Sequence, residues 1–426
     1  MKMPGATDRP LKIAYLAPEL GTLTSTFVYR EIEALRKRGV TIALFSTVRP
    51  MVEQVFEEAR SIIEETTYLY DARPVPVAFG ALHCLIHHPL RFCRALGLVA
   101  RDALVAHTPA ASDRIKMFWH FLTGCRLAQL LVSRDVEHVH AHFAHVPAAI
   151  AMYAAMLAGI PFSFTAHAND LFERGTALRE KVARSAFTAA ISDYNRRFLI
   201  DAGCPADRIH VVHCGLDVEE YEYRGRSPEN GLAMLFSVGR FVPKKGFDVL
   251  LDALSRLKLK NLPFRCVIVG TGPLYDEMRT KAQSSGLLEC LELPGAMPQE
   301  CVKDMLVSAD VFVLPCVVAK SGDRDGIPVA LMEAMALGVP VVSTAISGIP
   351  ELVVNAENGL LVAPNDHVAL SQALEQLVQN PAYGATLAKH ARETIEEQFN
   401  LETIAANLES LFDRSVSRQN ETGDQA

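Results

Sequence analysis

Residues Met234–Leu257 read MLFSVGRFVPKKGFDVLLDALSRL. The apolar run Met234–Val238 has the length of a buried strand. Gly239, Pro243 and Gly246 punctuate the turn after it, and Gly246–Leu257 carries apolar residues at helical spacing. Strand, turn and helix in this order form the unit of a parallel α/β sheet, because a parallel neighbour is reached only by a crossover. The unit recurs downstream. Phe264–Gly270 reads as a strand and Pro273–Ser285 as a helix; Asp310–Pro315 is a strand, Pro328–Leu337 a helix, Val339–Thr344 a strand and His367–Gln379 a helix. Upstream, Leu11–Ala17 and Val40–Thr47 read as strands around the helix Thr26–Arg38, which Gly39 closes. His138–Ala141, Phe162–Ala166, Ala189–Ser192 and Ile209–His213 are further strands, and Pro147–Leu157 is a helix ending at Gly159.

Between the two series lies Gly215–Gly231, rich in Glu, Arg, Pro and Gly, which reads as a linker. A chain of 426 residues, 50% hydrophobic, is long for one core and suits two. The expected division is residues 1–215, a linker 216–231, a second domain 232–395, a final helix 396–414 and a flexible tail 415–426. Each half is expected to be a doubly wound sheet, with ligands held in a cleft beyond the carboxyl ends of the strands.

Charged residues make up 21% and the formal net charge is −7, which gives no footing to a nucleic-acid role. None of the nine cysteines forms a C-x-x-C pair, so no zinc ribbon or redox motif is expected, and a reducing compartment suits them. The apolar run Leu11–Ala17 is short for a secretory signal, and no stretch has the length of a membrane span. A cytoplasmic protein is expected. The segment 75–134 stands apart: it is helical in pattern and holds Arg91, Arg94, Arg101, Arg114, Lys116, Arg126 and Arg134 against Asp102 and Asp113. It reads either as ordinary helices packed on the first domain or as a basic amphipathic surface for anionic lipid.

Chemistry concentrates in Asp325-Gly326-Ile327-Pro328-Val329-Ala330-Leu331-Met332-Glu333. Pro328 suits a first helical turn, Gly326 permits close approach of a ligand, and the helix start offers N–H groups to a diphosphate. Glu333 falls in an apolar run, where a carboxylate needs hydrogen-bond donors such as sugar or ribose hydroxyls. Eight helical residues span about 12 Å, beyond the roughly 5–10 Å of a glycosidase carboxylate pair. Asp325 and Glu333 therefore read as two grips on an elongated ligand; a helix cap and a structural ion pair are the plainer alternatives. Arg240 and Lys245 stand where two cations can meet a phosphate chain, with Lys244 as competitor for the second place. Gly270-Thr271-Gly272 suggests a tight turn. In the first half, the segment Gly21–Thr26 and His167 both follow strands. His138, His140, His142 and His145 alternate along a strand and its exit, and no nearby Cys or Glu pair completes a metal site.

The segments GRFVPKKGFDVLLDAL, VGTGP, ADVFVLP, DGIPVALMEAMALGVPVVST and SGIPELV, with FTAHAND and TSTFVYREIEAL upstream, resemble the retaining GT-B glycosyltransferases of family 4. Among these, the bacterial exopolysaccharide enzymes of the colanic-acid type are the most similar. The resemblance implies a GT-B fold whose final helix crosses back to the first domain. It implies Arg240 and Lys245 on the donor diphosphate, Glu333 on the ribose, Asp325 on the transferred sugar, and His167 beside that sugar near the reacting carbon. Gly21, Gly270, Gly272, Gly326 and Ile327 complete the implied donor site. It also implies no bound metal or other cofactor, a nucleoside-diphosphate sugar as donor, and a glycan or lipid-linked acceptor at the inner membrane face. Where the family usually has Glu, this chain has Asp325, shorter by one methylene. A nucleotide-sugar epimerase of the same architecture and a non-catalytic sugar-nucleotide binder are the competing readings.

Overall fold

The computed structural model describes residues 10–22, 26–51, 59–71, 74–105, 111–173, 175–223 and 232–423. Chain contacts divide into two units, Met1–Gly215 with Leu401–Ala426, and Leu216–Asn400.

Among the described residues the first unit holds seven strands: β1 (Lys12–Ala17), β2 (Thr41–Ser46), β3 (Thr67–Tyr68), β4 (His138–His142), β5 (Phe162–Ala166), β6 (Phe187–Ala190) and β7 (Ile209–Val211). All pair in parallel, in the order β3-β2-β1-β4-β5-β6-β7. The second unit repeats the plan with β8 (Ala233–Val238), β9 (Phe264–Val269), β10 (Leu291–Gly295), β11 (Val311–Leu314), β12 (Val341–Thr344) and β13 (Leu360–Val362), in the order β10-β9-β8-β11-β12-β13. Strand order reverses between β1 and β4 and again between β8 and β11, which is where doubly wound sheets hold ligands. This is the GT-B fold class: two Rossmann-like α/β units.

β3, β10 and β13 escape a reading of apolar runs. β3 has two residues and β13 three, and β10 carries Pro294 with a register shift against β9. β6 begins two positions before the expected start at Ala189, and the helix Pro381–Gln398 appears where no element was expected.

Two expectations about connections are corrected. The expected linker is structured at its start: Leu216 N–H donates to Phe399 O, and Asp217 caps the short 3-10 helix Val218–Glu220. Residues 224–231 lie outside the described residues. The expected flexible tail is helical as far as Gly423, in one helix Leu401–Gly423. Its apolar positions Leu401, Ile404, Ala405, Leu408, Leu411 and Phe412 recur at helical spacing and are buried with Ile13, Tyr15, Val28 and Ile32. Ser415, the first residue of the expected tail, is buried and shares a 2.7 Å hydrogen bond with His138 Nδ1.

The segment 75–134 forms the helices Pro74–His87, Pro89–Val105 and Ala111–Ser133. Cys84, Ala95, Val99, Met117, Phe121, Cys125 and Leu131 join the core of the first unit. Asp102, almost fully buried, is bridged by both terminal nitrogens of Arg184, Nη2 at 2.7 Å. Packing on the domain is thus a fact. The outer faces nevertheless carry many exposed apolar side chains, among them Phe79, Ile86, Leu90, Leu104, Ile115 and Trp119.

Phe412 is fully buried, with ring centroids at 5.0 Å from His138, 5.2 Å from His140 and 5.5 Å from Phe187. Phe412→Ala should destabilise the first unit by about 3–5 kcal/mol, read from urea denaturation. A loss of under about 1 kcal/mol would show that the last helix is dispensable.

Candidate active site

In the second unit the loops leaving β8, β9 and β11 form one assembly. Gly270 and Gly272 have φ of 138° and 153°, and a Cβ on them would sit 2.0 Å from Gly239 O and 2.6 Å from Phe241 O. Only glycine allows backbones this close. The two turns are stitched together: Phe241 N–H donates to Thr271 O at 2.8 Å, and Leu274 N–H to Phe241 O at 3.0 Å. The Gly-Thr-Gly segment thus fixes the backbone on both sides of Arg240, whose side chain is exposed. From the other flank, Ser343 Oγ–H donates to Leu314 O at 2.7 Å and the Thr344 hydroxyl to Cys316 O, which pins the exit of β11.

Lys245 ends the 3-10 turn Pro243–Lys245, and its Nζ lies 2.7 Å from Asp325 Oδ2. Lys244 Nζ is 3.5 Å from Asp325 Oδ1 and 3.1 Å from Asp323 Oδ1. Burial opposes both charges of the Lys245–Asp325 pair, but their mutual attraction outweighs it. The Asp325 carboxyl is held below its ordinary value by Lys245 and Lys244 despite burial, and Lys245 is held above its own by Asp325. Burial and the Asp325 charge push the Cys316 thiol well up, so it keeps its proton and donates to Asp325 Oδ2 at 3.3 Å.

Asp325 is therefore an ion-pair partner, not a helix cap. The cap of the helix Val329–Ala336 is Pro328, which gives no side-chain bond, so the helix start keeps N–H groups that side chains at the cap do not satisfy. Gly326 and Ile327 are buried between Asp325 and that start. Further along, half-buried Glu333 accepts a 2.9 Å hydrogen bond from the Tyr221 hydroxyl. The donor that its apolar setting called for is present within the chain. Tyr221 lies 112 positions away, and no local pattern pointed to it.

The first unit has its own cluster at the β1/β4 switch. Along β4 the rings of His138, His140 and His142 are fully buried on one face. His138 Nε2 shares the Ser163 hydroxyl (2.6 Å) with His140 Nδ1 (2.7 Å), and His140 Nε2 meets Thr165 Oγ1 at 2.9 Å. His142 Nε2 lies 3.1 Å from Glu31 Oε1, which also accepts from the Tyr15 hydroxyl at 2.6 Å. His142 Nδ1 is 3.2 Å from His167 Nε2. A carboxylate only accepts, so His142 carries its proton on Nε2. For a neutral His142 ring, His167 must then donate from Nε2 and keep a lone pair on Nδ1.

Glu31 is the residue that sequence spacing missed. With His140 and His142 it sets one possible ligand atom each within 4.8 Å of one another, so an acidic partner does stand beside these histidines. The same three side chains are engaged in hydrogen bonds within the chain. Gly21 sits at the exit of β1, while residues 23–25 of the segment after it lie outside the described residues.

Two family models meet end to end on this chain. The one described as Glycosyltransferase Family 4 matches residues 24–220, and the one for glycosyl transferases group 1 matches residues 220–396. The chain belongs to glycosyltransferase family 4. A protein of Escherichia coli (strain K12), named for colanic acid biosynthesis, is 40% identical over 58% of this chain and 59% of its own. An amylovoran biosynthesis glycosyltransferase of Erwinia amylovora is 38% identical over 51% of this chain and 53% of its own. The matches thus span less than two thirds of either relative. Among solved structures, Anabaena HepE in complex with UDP superposes with a TM-score of 0.71 at 16% identity, covering 95% of this chain and all of that one. That likeness concerns the fold.

In this family-4 chain the buried histidines tie stability to pH. Burial pushes His138 down to about 3, and burial with neighbouring imidazoles holds His140 and His167 well below the ordinary value. The unfolded chain therefore binds more protons below pH ~6.5, and stability falls as pH drops from there toward 3. Asp170, pushed up to about 6 by burial, works the other way by one group between pH ~6 and ~4. The net expectation is a loss of about 1–3 kcal/mol per pH unit from pH 6.5 to 5, read from urea midpoints. A flat profile there would show that these rings are protonated in the native state.

Proposed function

We propose that this chain transfers a hexose-type sugar from a nucleoside-diphosphate sugar to a glycan or lipid-linked acceptor, with retention of configuration and without a metal, in the building of an exopolysaccharide. The observation that carries this is the loop assembly of the second unit. It gathers Arg240, the paired Lys245 and Asp325, and a helix start without a side-chain cap at the carboxyl ends of β8 and β11. Such a site suits a diphosphate joined to a hydroxyl-rich group. The relatives named for colanic acid and amylovoran biosynthesis support the polysaccharide assignment, and UDP in the HepE structure supports a nucleotide donor.

In this reading Arg240 and Lys245 stabilise the charge that grows on the leaving diphosphate as the sugar–phosphate bond breaks. Asp325 holds Lys245 in place and meets hydroxyls of the transferred sugar. Glu333, oriented by Tyr221, meets the ribose. Gly21 is assigned to the donor site by the family resemblance, and His167, whose Nδ1 keeps a lone pair, to a hydroxyl of the sugar. Arg240→Ala and Lys245→Ala should each lower kcat/KM by about 10²–10³-fold, measured as nucleoside diphosphate released with a glycosylated product. The fold should survive Lys245→Ala because Lys244 stays beside Asp325. Full activity in both variants would sink the reading. A new nucleotide sugar formed without acceptor would favour an epimerase, and donor binding without turnover a non-catalytic binder.

A second reading concerns the membrane. No helix among the described residues is long and apolar enough to cross one. The helices of segment 75–134 nevertheless expose Leu90 (86%), Leu104 (75%) and Ile115 (75%) in a stretch that also carries Arg91, Arg94, Arg101, Arg114 and Lys116. We propose that this face rests on the anionic inner leaflet of the cytoplasmic membrane. The protein should pellet with vesicles of anionic lipid at low salt and stay in solution with neutral ones. Equal recovery in the supernatant from both would count against it.

A further inference from the structure

The first unit holds a cavity of about 380 Å3 that the donor site does not use. It opens between the helices Ala111–Ser133 and Val146–Ala158 and the turn before the helix Leu178–Arg184. Met117, Val146, Ala149 and Met152 give it apolar walls. Lys116 and Lys181 line it as cations, and Glu173 is the acidic side chain of the lining. Lys181 is buried and gives its ammonium hydrogens to Ala144 O (2.6 Å), Thr176 O (2.7 Å) and His145 O (3.1 Å). Burial pushes this ammonium down to about 7 against the pull of Asp170 and Glu180, and its hydrogen bonds tie it to the same backbone that leaves β4.

One lining group stands out. Tyr153 is 1% exposed, and its buried hydroxyl has no hydrogen-bond partner among the described residues. Leaving such a group unpaired costs about 1–3 kcal/mol. A phenylalanine would fill the same space without that cost. An unpaired hydroxyl on a residue that lines a cavity suits a ligand that supplies the missing acceptor, at some expense of stability in the empty protein.

The cavity also borders the cluster around His167. His145, a lining residue, stacks on Phe143 with centroids 5.6 Å apart, and the Phe143 ring is 4.5 Å from that of His167. On the outside, Ile115 and Trp119 are exposed on the helix that carries Lys116 and Met117.

We propose that this cavity seats the acceptor, and that its occupant is an amphiphile with an anionic phosphate head. The apolar walls take the start of the chain, the Tyr153 hydroxyl donates to a head-group oxygen, Lys116 supplies a balancing charge, and the anionic head favours the charged form of Lys181. Its role as the acceptor seat rests on the proposed transferase activity; its choice of ligand does not.

Calorimetric titration of the full chain with dodecyl phosphate below its micelle concentration tests the ligand class. Inorganic phosphate and neutral dodecyl maltoside are the other arms. Dodecyl phosphate should saturate one site at least ten-fold more tightly than either. Equal binding of dodecyl maltoside would overturn the anionic head, and equal binding of inorganic phosphate would overturn the amphiphile. Tyr153→Phe should raise the Tm of the empty protein and weaken dodecyl phosphate at least five-fold. Ala149→Phe, which fills the cavity, should abolish binding. If Ala149→Phe does not fold, Tyr153→Phe still decides: unchanged affinity there overturns the site. Stabilisation by a panel of nucleotide sugars, measured on the same variants, should not change. Its absence in the unaltered protein would count against the transferase activity and leave the cavity's ligand standing.

Discussion

A parallel strand cannot turn straight back onto its neighbour, so each connection in these sheets has to cross a face before the next strand begins. Every strand pair among the described residues is parallel, and that one constraint sets most of the architecture. Helices cover both faces, the strands are buried, and the loops that carry side chains outward collect at the carboxyl ends. Where the order reverses, beside β1 in one unit and β8 in the other, neighbouring loops part and leave room. The chemistry-bearing residues of both units lie at these two places.

The loops are held before any ligand arrives. The Gly270 and Gly272 backbones lie against the turn that carries Arg240, closer than any side chain would allow. Lys245 and Asp325 hold each other at 2.7 Å, and Lys244 supports Asp325 from the other oxygen. Tyr221 does the same for Glu333. A site arranged in this way loses little side-chain freedom when it binds, which favours a charge-stabilising role. The shorter side chain at position 325 is accommodated, because its carboxylate still reaches Lys245.

The buried polar core of the first unit is unusual for a parallel sheet, whose strands commonly read as apolar runs. Three imidazoles, two hydroxyls from β5, Tyr15, Glu31 and His167 satisfy one another in two adjoining networks, His138–Ser163–His140–Thr165 and Tyr15–Glu31–His142–His167. A half-satisfied network would cost more than an apolar core, so each member depends on the others of its own network. The last helix belongs to this arrangement through Ser415 and Phe412. That dependence explains why a polar C-terminal stretch, read as frayed from its composition, is instead ordered as far as Gly423.

Periodicity and turn residues are local, and they were enough for the sequence to determine the two α/β series, most central strands and the Asp325–Glu333 segment on a helix start. They also placed Arg240, Lys245 and His167 at strand exits, where side chains reach ligands. Short or irregular edges such as β3, β10 and β13 carry too few residues for a pattern. The partners of the site residues lie far along the chain: Glu31 is 111 positions from His142, and Tyr221 is 112 from Glu333. A hydrogen bond or ion pair depends on distances of about 3 Å, and sequence spacing does not encode these once sheets and crossovers intervene. Tertiary structure alone decided that Asp325 pairs with Lys245 and does not cap its helix, that Glu31 sets the tautomers of His142 and His167, and that the hydroxyl of Tyr153, a residue lining a cavity, has no partner among the described residues.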